Sequence, residues 1–343
     1  NVRATTSAVA AIAGAQYALH AVPVQHSRAF LEGIKDVLPA DVPIVSVSKG
    51  LEVGTGLMLS ELIPDALGRK QPTAFLSGPS FAAEVVDGRP TGLVAASRDK
   101  KLVRALQQLF ASPSMRVNTS TDVVGVEVCG ALQNVLAIAA GIVEGLGRGA
   151  NAKAALVSQG CAEIRWLAEK MGAKPGTVAG LSGMGDVMLT CYGELSRNRA
   201  VGLRLGRGET LGAILASSPQ VAEGVATAGV VVGLARRYRV ALPVLTAVAQ
   251  VLDGALSPAE AVSSIMALPM LIFKQANPCS EWYEAMMLPG KHYLPVDGSY
   301  ANLSDAIAWA RAHDTEAQRI VAAANVHVRQ VVSVAGVYAY SER

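Results

Sequence analysis

The sequence predicts an α/β protein: an open, largely parallel sheet wound with helices, followed by an all-helical domain. Three observations carry this. Strand-like and helix-like segments alternate through residues 1–119. Long helical patterns take over after Thr121. Of the 343 residues, 51% are hydrophobic and only 17% charged, enough apolar side chain for two buried cores. Aromatics make up 5%, so Ala, Val, Leu and Gly must do most of the packing.

In chain order, residues 7–13 are small and helical, and residues 16–22 read as a strand stopped by Pro23. A helix over 29–38, a buried strand over 44–47 and a helix over 57–67 follow. Short strands at 74–76 and 92–96, a helix at 102–110 and a last strand at 115–118 complete the first domain. Helical periodicity then runs through 123–144, 152–171, 199–205, 210–216, 226–238, 243–253 and 258–266, with Gly and Pro at the joints. The longest apolar stretch, 128–143, is short of a bilayer span and contains Gln133 and Asn134, so it is expected to be a buried helix. Composition changes again near Pro269: Trp282, Tyr283, His292 and Tyr293 appear, then a helix over 303–312. The expected domains are therefore 1–119, 120–269 and 270–343.

Composition also excludes partners. A net charge of +3 and the lack of a basic run with interleaved aromatics argue against nucleic acid or a membrane surface. Cys129, Cys161, Cys191 and Cys279 lie far apart without a CxxC pair, and the five histidines are scattered, so neither a disulfide framework nor a metal centre is expected. The chain opens at Asn1 without a leader-like segment and reads as a fragment or a processed form.

Three segments carry chemistry. Ser46-Val47-Ser48-Lys49-Gly50-Leu51-Glu52 sets Lys49 at the carboxyl end of a buried strand, where open α/β sheets bind ligands. A surface lysine in a turn is the alternative. Ser77-Gly78-Pro79-Ser80-Phe81-Ala82 follows another strand and opens a helix whose free N–H groups suit an anion, or simply forms a turn and cap. In Ser182-Gly183-Met184-Gly185-Asp186, Thr190 and Ser196-Arg197-Asn198-Arg199, arginine offers a planar fork to phosphate while Asp186 and Asn198 can bond hydroxyls. The alternative there is a solvated helix start.

Together with Gly125–Gly141 (GVEVCGALQNVLAIAAG), Gly149-Ala150-Asn151-Ala152-Lys153 and Val221-Ala222-Glu223-Gly224, these segments resemble the NAD-dependent glycerol-3-phosphate dehydrogenases, over residues 1–269 and most closely the plastid type. The resemblance implies a Rossmann-like, doubly wound sheet followed by a helical substrate domain. It implies NAD as cofactor, with NADP not separated from it, and dihydroxyacetone phosphate or glycerol 3-phosphate as the small-molecule substrate. It also implies roles: Lys49 at both substrate and cofactor; Gly78, Ser80, Asp186, Ser196, Arg197 and Asn198 at the substrate; Pro23, Ala82, Arg197, Val221 and Glu223 at the cofactor. The plastid stroma is the implied compartment, with the cytoplasm as alternative, and a homodimer is left open.

Three departures qualify this. The family's general acid/base lysine, immediately before Asn134, is here Gln133, and an amide cannot deliver a proton at neutral pH. Weak or no dehydrogenase activity with retained substrate binding is expected, with Lys49 a partial substitute at best. No GxGxxG loop follows a first strand, so the sheet is expected to be incomplete, with an exposed edge, an apolar flank and poor NAD(H) affinity. Beyond Pro269, Phe273-Lys274-Gln275, Cys279-Ser280-Glu281-Trp282-Tyr283-Glu284, His292–Val296, Leu303-Ser304-Asp305 and His313-Asp314 resemble the end of CAP10-type glycosyltransferases, without a donor site or catalytic base. That foreign tail reads as a fusion at the level of the gene model or splicing, and no transferase activity is expected of it.

Overall fold

The computed structural model describes residues 3–218, 222–266, 273–275, 287–297, 299 and 301–331. The chain divides into two compact units, Asn1–Ile265 and Met266–Arg343. The first unit opens with α1 (Ala8–Ile12), β1 (Ala18–His20), α2 (Val24–Ile34), β2 (Ile44–Ser46), α3 (Leu59–Leu67), β3 (Thr73–Ser77), α4 (Ala82–Val86), β4 (Thr91–Ala96), α5 (Lys100–Phe110) and β5 (Met115–Ser120).

The strands form one Rossmann-like sheet in the order β1-β2-β3-β4-β5. Neighbours are parallel except β3 and β4, which are antiparallel. The link between these two holds only the one-turn α4, too little helix for a parallel crossover, so the chain turns straight back. Alternation along the strands splits the apolar residues between two faces. Ile44, Phe75, Val94 and Ala96 pack with Val24, Leu31, Leu62 and Ile63 of α2 and α3. Val45, Ala74, Leu76, Ala95 and Val117 pack with Leu102, Val103 and Leu106 of α5. Register is thereby pinned, because a one-residue slip would exchange the faces.

Two local expectations shift. Helix α2 starts at Val24, five residues before the expected 29, because Pro23 takes the N-cap with φ −51° and presets the first turn. For the same reason β1 ends at His20, before Pro23. Among the described residues β1 pairs only with β2; Leu19 is 58% exposed, and a groove of about 360 Å³ lined by Ile12, Tyr17, Phe30, Leu31 and Ile34 runs along it.

The unit continues as α6 (Val123–Gly145), α7 (Gly149–Lys170), α8 (Pro175–Val178), a π-helical turn (Leu181–Gly185), α9 (Asp186–Tyr192), α10 (Arg197–Gly206), α11 (Leu211–Ser217), α12 (Glu223–Tyr238), α13 (Pro243–Leu252) and α14 (Pro258–Met266). Helix α6 is the hub. It is apolar on all sides and buried almost throughout from Val123 to Val143, as expected of a helix enclosed by others. Among the described residues it is the one helix long and apolar enough to cross a membrane, and the other helices enclose it. Asp122 starts it by accepting from the Gly125 N–H at 3.0 Å. Helix α10 crosses α6 backbone to backbone: a Cβ on Gly202 would lie 2.0 Å from the Ile138 carbonyl oxygen. Glu163 of α7, fully buried, accepts from the Val244 and Leu245 N–H groups at 2.9 and 3.1 Å, capping α13 with a carboxylate.

In the second unit β6 (Phe273–Gln275) pairs in parallel with β7 (Leu294–Val296), and α15 (Leu303–Ala312) and α16 (Asp314–Val331) follow. His292 is buried and its ring stacks on that of His327 at 4.3 Å. Helix α16 was not anticipated, although buried Ala317, Ile320, Val321 and Ala324 carry the helical spacing. Cys279, Trp282 and Tyr283 lie outside the described residues.

Candidate functional site

The site is built on one buried carboxylate. The π-helical turn hands the chain to α9 at Asp186, which is 2% exposed. Its Oδ2 accepts from Lys49 Nζ at 2.5 Å, from the Gly78 N–H at 3.2 Å and from Ser77 Oγ at 3.4 Å. Thr190 Oγ1 donates to the Asp186 carbonyl at 2.7 Å. Lys49 reaches it from the loop after β2, and Ser77 and Gly78 from the end of β3. Gly78 has φ 137°, and a Cβ there would meet the Gly92 carbonyl oxygen at 2.8 Å, so only glycine allows this N–H to point at the carboxylate. Such a pair adds little net stability, but losing one partner strands a buried charge, at a cost of about 3–5 kcal/mol.

A second cluster joins the starts of α10 and α12 to the middle of α6. Ser196 caps α10, its Oγ accepting from the Arg199 N–H at 3.3 Å. Buried Asn198 donates to Asn134 Oδ1 at 2.8 Å and accepts from the Gly224 N–H at 3.0 Å. Glu144 holds Arg199 through a two-nitrogen contact, with Nε at 2.9 Å, and also accepts from Lys153 Nζ at 2.8 Å. Burial pushes the Glu223 carboxyl up, against the opposing pull of the Arg197 and Lys49 charges. A half-buried acid thus lies within the field of two cations.

Gln133 is 1% exposed, and its Nε2 and Oε1 are both buried without a hydrogen-bond partner among the described residues. It lies one helical turn after Gly130, where a Cβ would stand 3.4 Å from both Lys49 Cγ and Ser77 Oγ. Gly130, Gln133 and Asn134 therefore form one stripe of α6, turned toward Lys49 at one end and Asn198 at the other.

One turn earlier, Glu127 shares a small cavity with Lys49, Ser77 and Gly130. Its Oε1 accepts from the Ser60 N–H at 3.0 Å, its Oε2 has no partner among the described residues, and burial pushes its pKa up to about 7 from 4.5. The folded state therefore binds this proton more tightly than the unfolded chain, and the stability it lends below pH about 4.5 is lost as pH rises through about 7. Glu127→Gln keeps the Ser60 bond and removes the titration. It is expected to stabilise the chain at pH 8 by about 2–3 kcal/mol and to flatten the slope between those two values, as read from urea midpoints across pH.

Of the residues expected from sequence, Lys49, Gly78 and Asp186 converge directly, while Ser196, Arg197 and Asn198 stand at the start of α10 and Glu223 at the start of α12, in the field of Arg197 and Lys49. Ser80 instead closes its own turn, Oγ donating to the Gly78 carbonyl at 3.0 Å. Ala82 is exposed at the start of α4, and Pro23 caps α2. Val221 lies outside the described residues. Sequence reasoning missed Ser77, the Gly224 N–H and the Glu144 anchor. Only the Ser77 position, at a strand end beside a motif glycine, carried a usable signal.

Comparison with known proteins adds the following. Family models described as the N-terminus and C-terminus of NAD-dependent glycerol-3-phosphate dehydrogenase match residues 1–103 and 122–263, and one described as glycosyl transferase family 90 matches 258–343. The chain is 61% identical over 272 residues to a chloroplastic NAD(+) glycerol-3-phosphate dehydrogenase of Arabidopsis thaliana, covering 79% of this chain and 65% of that protein. It is 43% identical over 269 residues to the NAD(P)+ glycerol-3-phosphate dehydrogenase of Mesorhizobium japonicum, covering 78% and 77%. A crystal structure of glycerol-3-phosphate dehydrogenase from Coxiella burnetii matches with TM-score 0.73 at 34% identity, covering 76% of this chain and 79% of that one. The chain spans just under two thirds of the length of the chloroplastic relatives.

Proposed function

The chain belongs to the NAD-dependent glycerol-3-phosphate dehydrogenase family, and from that premise we propose that its site binds a three-carbon polyol phosphate. The reaction it is organised for is hydride exchange between a nicotinamide and C2 of dihydroxyacetone phosphate. The observation that carries this reading is Asp186, buried yet tied by Oδ2 to Lys49 and Gly78. Carboxylate and amide suit the hydroxyls, and the arginine fork suits the phosphate.

The described residues fit the reacting end of NAD or NADP. Lys49, Arg197 and Glu223 would hold it, and the half-buried Glu223 carboxyl would accept from an amide of the ring. When bound, the nicotinamide supplies the hydride, and the protein must orient C2 and manage the proton on its oxygen. Lys49 and Asp186 polarise and position. Gln133 orients but delivers no proton, which favours a second reading of the chain as a binding protein with impaired turnover.

With the function we propose residues 1–119 as the nucleotide-binding part, 120–269 as the substrate part and 270–343 as a tail without transferase activity. We propose the plastid as the compartment ahead of the cytoplasm, and a homodimer as the assembly. Arg197→Ala is expected to weaken glycerol 3-phosphate binding about 10- to 100-fold by calorimetry without altering the thermal midpoint, since the side chain is exposed. Unchanged affinity would remove the phosphate role.

A further inference from the structure

We propose that Gln133 makes this pocket selective for an alcohol over a ketone at C2 of its ligand. The inference rests on the three-carbon phosphate reading and adds the direction of its preference. Gln133 lies one turn of α6 after Gly130, whose Cβ position stands 3.4 Å from Lys49 Cγ and Ser77 Oγ, and side chains on a helix lean back toward the preceding turn. Its amide nitrogen and amide oxygen are both buried and both lack a partner among the described residues. A carboxamide needs an acceptor for its N–H and a donor for its oxygen. A hydroxyl answers both at once, donating to Oε1 and accepting from Nε2. A ketone oxygen only accepts, so Oε1 stays buried and unpaired, the situation that binding sites discriminate against most strongly. A lysine ammonium at this position would have no acceptor to satisfy and would favour the ketone oxygen. The glutamine therefore reverses the selectivity as well as removing a proton donor.

Titration calorimetry of the full chain with sn-glycerol 3-phosphate, dihydroxyacetone phosphate and 3-hydroxypropyl phosphate, which lacks the C2 oxygen, tests this. The alcohol is expected to bind at least about tenfold more tightly than either of the others. Gln133→Met, close in volume and without the amide, should bring the three affinities to within about twofold of one another, and Gln133→Lys should shift preference toward the ketone. Should the methionine variant not fold, the three affinities of the unmutated chain still decide. Equal or tighter binding of the ketone overturns the proposal while leaving the three-carbon phosphate reading intact. Failure of all three ligands to bind overturns that reading, and this one with it.

Discussion

Gln133→Lys is expected to raise dihydroxyacetone phosphate-dependent NADH oxidation by about 10²- to 10⁴-fold, the usual contribution of a positioned general acid. The reason lies in where the side chain stands. Gln133 is 1% exposed, next to the Gly130 position that faces the stem of Lys49. An ammonium there would be desolvated and set near a second cation, and both effects lower a lysine pKa toward neutrality. Such a group can give up a proton to the oxygen that gains charge as hydride reaches C2. The rate should then fall as pH rises through the new lysine's pKa, a profile the unmutated chain would lack. A variant that binds both ligands yet turns over no faster would show that the amide is not what limits this chain.

The second large effect is on stability. Gly202→Ala is expected to cost about 3 kcal/mol or more, at the upper end for overpacking. The added methyl would stand 2.0 Å from the Ile138 carbonyl oxygen, and the helices meet there through backbone atoms that cannot change rotamer. Relief requires α10 to move off α6. Because Ser196, Arg197 and Asn198 open α10, affinity for the phosphate should fall about tenfold or more alongside the urea midpoint. An unfolding free energy unchanged within about 0.5 kcal/mol would mean that α10 and α6 do not meet backbone to backbone.

Much of the fold was legible in the residues. Apolar runs such as Ile44-Val45 and Leu93-Val94 marked buried strands, and α6 announced itself as a core helix by being apolar on every face. The antiparallel return of β4 was not legible, since it depends on how little helix α4 contains. Nor was the π-helical turn, because Gly180, Gly183 and Gly185 interrupt the helical pattern that would have revealed it. Lys49, Asp186, Arg197 and Asn198 were named from local motifs. Their convergence was not readable locally, for Lys49 and Asp186 are 137 residues apart and Asn134 and Asn198 are 64 apart. Asn134, Glu144 and the Gly224 N–H act through partners on other helices and carry no signal within their own segments.

Helix α6 holds both the centre of the apolar core and the polar stripe of Gly130, Gln133 and Asn134. Recognition and structural integrity therefore share one element and cannot be traded separately. A loosened core at Leu132 or Leu136 displaces the amide and its neighbours before the chain unravels, and a ligand that orders the stripe braces the whole helical half against heat.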